Sequence, residues 1–239
     1  MGFELLKIPV GVKEMQDQSS QWLEIRKERP DWVIMWSWGV MTTVAIKQAA
    51  NTRFPMDRFI GNVWAAENAQ VAAAGPGAKG VKTANFHGTG SNYPALKDMV
   101  RLVLNRGKSR AGAATVGTAF YNRGVFNAVI VAEAIRTAQN LTGRAAITGR
   151  DMRKGLEQLN LSAERLKELG LEGFMEPIRG SCRDHSGSGS IFIQQWNGSS
   201  WERVSENIAP DVYRVRPKLK AAARAYVSDR TGWPTQVCP

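Results

Sequence analysis

No stretch of this sequence approaches the ~18 consecutive apolar residues that cross a bilayer, so no membrane-spanning helix is expected. The first residues, MGFELLKIPV, lack the basic segment and long apolar run of a secretory signal. Gly2 is followed by Leu6 where a myristoylation site needs Ser or Thr. Cysteine is scarce. Cys182 and Cys238 are compatible with one disulfide and say nothing of a metal. The histidines are His87 and His185, far apart in sequence. Cys182-Arg183-Asp184-His185 offers three candidate ligands, but tetrahedral zinc wants a fourth, so no metal is expected. A Cys–His pair confined to one short loop is a poor basis for nucleophilic catalysis. No G-x-S-x-G elbow occurs. His87-Gly88-Thr89-Gly90 lacks the third glycine of a dinucleotide fingerprint and the lysine of a P-loop. Nothing reads as a catalytic constellation, so no enzyme activity and no cofactor is expected.

What is present describes an ordinary globular chain. Its 239 residues are 43% apolar and 22% charged, enough for a sizeable core in one large or two small domains. The formal charge of +11 invites a nucleic-acid partner. The basic residues are scattered, however, and the densest run, Arg214 to Lys220, leads into a helix where a solvated face explains it. No nucleic-acid binding is expected.

The organising stretch is Pro30–Ala49. Pro30 closes a polar helix over Gln18–Arg29, for which Asp17 is a plausible N-cap. Trp32–Met35 is a short apolar run, as expected of a parallel strand covered on both faces. Trp36-Ser37-Trp38-Gly39 breaks it, and Val40, Met41, Val44, Ala45 and Ala49 follow at helical spacing. This strand–loop–helix places two indoles and a hydroxyl at a strand's carboxyl end, where open α/β sheets bind ligands. Alternatively, the indoles pack in the core. Phe3–Val10, Arg58–Val63 and Val81–Phe86 are further strands, and Trp64 to Glu67 stand just after the second of these. A helix follows from Tyr93 or Pro94, with Leu96, Met99, Val100, Val103 and Leu104 inward. Asn105–Gly117 reads as a connection between lobes. The longest helix covers Phe120–Asn140, with Val125, Ala128, Val129, Ala132 and Ile135 inward and Gly143 as its stop. Shorter helices follow at Asp151–Leu159 and Ala163–Leu169, then a Ser/Gly-rich loop over Gly180–Ser190. A hairpin pairs Ile191–Trp196 with Trp201–Val204 around Asn197-Gly198. The last helix covers about Pro217–Asp229. The rhythm is that of parallel βαβ units with flanking helices.

Several stretches, in order, resemble the type I periplasmic binding proteins of ABC transporters, in the leucine/isoleucine/valine branch that includes amide and urea binders. They are QSSQWLEIRKERPDWVIMWSWG, AIKQAANTRFP with FIGNVW, AFYNRGVFNAVIVAEAIRTAQ, CRDHSGSGSIFIQQWNGSSWERVS and RAYVSDRTG. The resemblance implies an α/β fold of two Rossmann-like lobes holding a ligand in a cleft. It implies that residues 1–116 are a second-lobe domain without its first strand and helix. Residues 117–190 would return to the first lobe, and 191–239, with the hairpin, terminal helix and tail, to the second. The chain is then a truncated copy whose N-terminal lobe is missing.

The resemblance further implies a solute-binding component of an importer. It would capture a small polar ligand, an amino acid or amide, and dock on ABC permease subunits from the periplasm. A ligand-sensing regulatory domain of the same fold and, further off, an α/β enzyme are the alternatives. Carried over residue by residue, Trp38 falls where the family packs an aromatic on the ligand, flanked by Ser37 and Trp36. Val63 stands where members often place an acid for the ligand's ammonium, leaving Glu67, one helical turn on, as the substitute, with Trp64 between. Tyr121 and Arg123 lie beside the crossing and are expected to face the cleft. An oxidising compartment, implied by the family, predicts a Cys182–Cys238 disulfide.

Overall fold

The computed structural model describes residues 2–230 and residue 238. Its contacts divide the chain into two compact units: Met1–Phe126, Gly170–Met175 and Phe192–Glu206 in the first, Asn127–Leu169, Glu176–Ile191 and Asn207–Pro239 in the second.

The first unit is built on a five-stranded sheet. Its strands are β1 (Val33–Met35), β2 (Phe59–Gly61), β3 (Lys82–Asn85), β6 (Phe192–Trp196) and β7 (Trp201–Arg203), neighbours in that order. β1, β2 and β3 are parallel, with Met35 opposite Gly61 and Gly61 opposite Thr83. β6 runs antiparallel to β3, and the β6–β7 hairpin closes with Trp196 opposite Trp201, as the Asn-Gly turn predicts. Helix α1 (Ser19–Glu28) precedes β1, α2 (Val40–Asn51) joins β1 to β2, α3 (Asn68–Ala72) joins β2 to β3, and α4 (Pro94–Leu102) follows β3. Asp17 Oδ1 accepts from the Ser19 N–H at 3.0 Å at the start of α1. At its end Arg29 turns left-handed (φ 49°) as a C-cap, its N–H donating to Ile25 O, and Pro30 keeps the helix from continuing.

One face of this sheet holds the core. Trp22, Ala45, Ile46, Ala49, Phe59 and Val71 are buried together with Val81, Trp196 and Trp201. The Trp22 ring stacks on Phe59 with centroids 6.0 Å apart, and truncating so buried an indole costs about 3–5 kcal/mol. Gly61 is required by close approach, since a Cβ there would meet the Ala65 Cβ at 2.6 Å.

Three expectations are corrected in this unit. β1 is not covered on both faces: it is the last strand on its side of the sheet, and Ile34 is 75% exposed. Phe3–Val10 forms no strand, because among the described residues its backbone pairs with no neighbour, and Phe3, Leu5 and Leu6 are exposed. In α4 only part of the expected stripe is inside: Leu96 is buried, while Val103 is on the surface.

The second unit takes most of the longest helix, α5 (Ala119–Thr142), with α6 (Gly149–Glu157), α7 (Ala163–Glu168), α8 (Val212–Ser228) and the two-residue antiparallel pair β4 (Asn160–Leu161) and β5 (Ile178–Arg179). Gly143 ends α5 with φ +66°, its N–H donating to Gln139 O at 2.8 Å. The buried stripe of α5 differs from the expected one. Ala128 and Ala132 are exposed and Ala134 and Ala138 are buried instead, because α6 packs there. A Cβ on Gly155 would lie 2.2 Å from Ala134 O, so only small residues permit this crossing. Thr148 and Asp151 form a capping box at the start of α6. Arg165 forks onto both oxygens of Glu133 at 2.9 and 3.0 Å, and this holds the Glu133 carboxyl below its usual range. α8 starts earlier than expected, at Val212, because Asp211 caps it by accepting from the Arg214 N–H at 3.2 Å, with Pro217 inside the helix. Cys182 and Cys238 are bonded, their Cα atoms 5.6 Å apart.

Candidate functional site

The carboxyl ends of β1, β2 and β3 lie along one edge of the first unit's sheet, and the loops leaving them carry the candidate residues. After β1 the chain stays extended for three residues. Side chains alternate, so Ser37 turns inward and its Oγ meets Thr42 Oγ1 at 2.9 Å in the core. Trp36 and Trp38 turn the other way and are 75% and 52% exposed. The reading in which these indoles pack in the core is thereby excluded. Gly39 then adopts φ +57°, and α2 begins at Val40 with no side chain capping its first N–H groups and no acid in its first turn.

After β2, Asn62 Oδ1 accepts from the N–H groups of both Trp64 and Ala65 at 3.1 Å, a tight turn that presents the Trp64 ring at 48% exposure. Glu67 does not point a free carboxylate at solvent. Its Oε2 accepts from the Phe120 N–H at 3.0 Å, while Asn68 Oδ1 accepts from the Ala119 N–H at 3.2 Å. Together the two side chains satisfy the start of α5.

Arg123 joins these loops from the second turn of α5. The residue is 8% exposed, and its guanidinium sits 5.3, 5.0 and 5.5 Å from the ring centres of Trp64, Phe86 and Phe120 and donates from Nη2 to Val63 O at 2.9 Å. Nε donates to His87 Nε2 at 3.2 Å. That bond fixes the His87 tautomer, leaving Nδ1–H for Gly88 O at 3.1 Å. Burial first, and the Arg123 charge second, push the His87 pKa down to about 4. Burial likewise lowers that of Arg123, opposed by the Glu67 charge. Asn122 ties the same helix to the loop after β3, its Nδ2 donating to Gly88 O and Gly90 O at 2.9 and 3.0 Å.

The structure therefore brings Trp64, Glu67 and Arg123 into one contiguous cluster and puts Trp36, Ser37 and Trp38 at the neighbouring strand end. Tyr121 is half-buried, and its N–H goes to Thr118 Oγ1 at 3.4 Å. Sequence reading passed over His87, Phe120 and Asn62. The available signal for His87 was its place directly after a strand of the same parallel set.

Two hollows, of about 340 and 420 Å³, lie in the second unit, one lined by Asn160, Ser162 and Arg179, the other along α8. Neither contains a candidate residue, so the site rests on the strand edge and its rings. Among the described residues no cluster of His, Cys, Asp or Glu suits a metal, and no helix is long and apolar enough to cross a membrane.

Residues 1–200 match the family described as Periplasmic binding protein. No curated protein matches the chain. A solved structure from the Pseudomonas fluorescens group, described as an ABC transporter permease, is 40% identical with a TM-score of 0.90, over 98% of this chain and 57% of that one. A branched-chain amino acid ABC transporter from Thermus thermophilus, solved with bound valine, is 18% identical with a TM-score of 0.67, over 84% of this chain and 52% of that one. A solute-binding protein from R. palustris in complex with benzoate is 15% identical with a TM-score of 0.56, over 82% and 49%. The last two likenesses speak to fold alone, and the chain spans roughly half the length of these relatives. Parallel strands with flanking helices, covering part of the type I fold, and a family match over most of its length lead to one conclusion: the chain belongs to the periplasmic binding protein family.

Proposed function

We propose that this chain is the solute-binding component of an ABC importer. It captures a branched-chain amino acid, an amide or a related small polar metabolite, works in the periplasm and delivers the solute to permease subunits. The observation that carries the reading is the exposure of Trp36, Trp38 and Trp64 at the carboxyl edge of parallel strands, while the intervening Ser37 is buried. Three indoles held in water forgo burial energy that a bound apolar body would recover. The ligand wall is formed by these rings, with Glu67 and Arg123 holding the loops that present them. No bond is made or broken. Closure on the solute is the functional event in this class of reading.

A thermal-shift screen of the chain against branched-chain amino acids, their amides and small carboxylates tests this. A true ligand raises the melting temperature progressively with its concentration, by the equivalent of about 2.7 kcal/mol at a hundredfold excess over Kd. No concentration-dependent rise from any member would contradict the proposal. Trp38→Ala is expected to weaken the best ligand by about 1–3 kcal/mol, the range for uncovering a large side chain. Calorimetry showing unchanged affinity in that variant would remove Trp38 from the site.

A further inference from the structure

We propose that α8 is a membrane-surface helix, seated on a bilayer of anionic phospholipid with its apolar stripe toward the hydrocarbon and its arginines and lysines among the phosphates. The inference concerns the basic run from Arg214 to Lys220 and its continuation, which solute binding does not use, and it stands apart from the solute-binding reading.

Spacing is the first argument. At about 100° per residue, Val212, Val215, Leu219, Ala222, Ala223 and Tyr226 fall on one stripe along α8, and no charge stands among them. Arg216, Lys220 and Arg224 form a row four residues apart along one flank, and Arg214 and Lys218 a second row along the other. No carboxylate lies between residues 212 and 228. Exposure is the second argument. A helix that packs such a stripe on a protein core hides it, yet α8 buries no residue, and Val215, Leu219 and Tyr226 are 50, 64 and 49% exposed. A solvated face accounts for the cations but leaves the stripe in water, at a cost in apolar hydration.

Charge identifies the occupant. Arg214 pairs with Asp211 at 3.3 Å and Arg216 with Asp184, while Lys218, Lys220 and Arg224 form no ion pair among the described residues. Arg216, Lys220 and Arg224 border a hollow of about 420 Å³ whose lining residues all belong to α8, among them Tyr213, which is 90% exposed. Tyrosine suits the headgroup level, where its ring meets hydrocarbon and its hydroxyl meets water. The stripe needs an apolar surface and the rows beside it need anions, over about 21 Å of helix at about 1.5 Å per residue. An anionic bilayer supplies both. Duplex nucleic acid supplies phosphates but nothing for the stripe, and α8 of a second copy brings its own row of cations against these. A helix of 17 residues that carries both rows is too short and too charged to span, so it lies on the surface.

Sedimentation of the 239-residue chain with sucrose-loaded vesicles tests this. One set is phosphatidylcholine alone, the other phosphatidylcholine with about one-third phosphatidylglycerol. At about 0.1 M salt the partition coefficient is expected to be at least tenfold higher for the anionic set, and raising the salt to about 0.5 M should remove most of that preference. Equal partition into both sets, or none into either, would overturn the proposal. Two variants of exposed residues locate the seat. Lys218→Gln/Lys220→Gln/Arg224→Gln should lower partition into anionic vesicles at least tenfold, since each cation near such a surface contributes about fivefold. Leu219→Ser keeps every charge and should lower it at least about threefold. Unchanged partition in either variant contradicts the seat on α8. Duplex DNA bound without vesicle binding would assign the helix to nucleic acid instead, and a dimer that Leu219→Ser dissociates, again without vesicle binding, would assign it to a second copy.

Discussion

Reduction of the Cys182–Cys238 bond is expected to lower the chain's stability by about 4 kcal/mol. The cross-link joins residues 56 apart in sequence, and closing a loop of that length removes about this much conformational free energy from the unfolded ensemble in the chain-entropy model. Its native surroundings are already ordered. Asp184 pairs with Arg216 of α8, and the Ser181–Asp184 turn closes with a hydrogen bond in each direction, at 3.0 and 3.2 Å. Among the described residues of the second unit, the strands are two residues long and α8 buries no residue. Urea melts of the oxidised chain and of the Cys182→Ser/Cys238→Ser variant should show a lower midpoint in the variant. Coincident midpoints would mean that the cross-link does not constrain the unfolded chain.

Acidification gives the second large effect. His87 is fully buried, stacks on Phe174 with ring centres 5.9 Å apart, and accepts the Arg123 Nε–H through Nε2. Burial is the main reason that the folded pKa falls from 6.5 to about 4. The Arg123 charge adds to it, because protonating Nε2 removes that acceptor and sets two cations side by side. A depressed histidine pKa means that the unfolded chain takes up the proton first. The stabilisation is complete above about pH 6.5, erodes as the pH falls, and reaches a loss of about 3 kcal/mol near pH 4. Glu133 and the other carboxylates with lowered pKa contribute only at lower pH, so the interval between about 6.5 and 5 isolates His87. Denaturant melts across that interval should show falling stability in the native chain and a flatter profile in His87→Gln, which keeps an oxygen for Arg123. Equal slopes would contradict the assignment.

The stretch after β1 and the cluster around Arg123 differ in how far they could be read from sequence. Trp36-Ser37-Trp38 was legible because alternation along an extended chain is a local property: once Trp32–Met35 is a strand, the faces of the next three residues follow. The strand order's parallel half followed from the βαβ rhythm, and the hairpin from Asn197-Gly198. Arg123 and His87 are 36 residues apart, and Glu67 and Phe120 are 53 apart. No periodicity links such pairs, so the engagement of Glu67 with the start of α5 was invisible, and a motif that suggested a free carboxylate proved to be a helix-capping one. Phe3–Val10 shows the reverse failure. Its composition suits a strand, but a strand exists only when a neighbour pairs with it.

The location of the binding edge can be tested with the chain labelled with 5-fluorotryptophan and titrated with the tightest ligand of the metabolite screen. Its indoles report separately. Trp36, Trp38 and Trp64 stand at the proposed site, while Trp22, Trp196 and Trp201 are buried in the core. The account predicts saturable fluorine shifts at positions 36, 38 and 64, assigned by single Trp→Phe variants, with the three core resonances unmoved. Saturable binding that leaves those three surface resonances in place, and moves others, would contradict it.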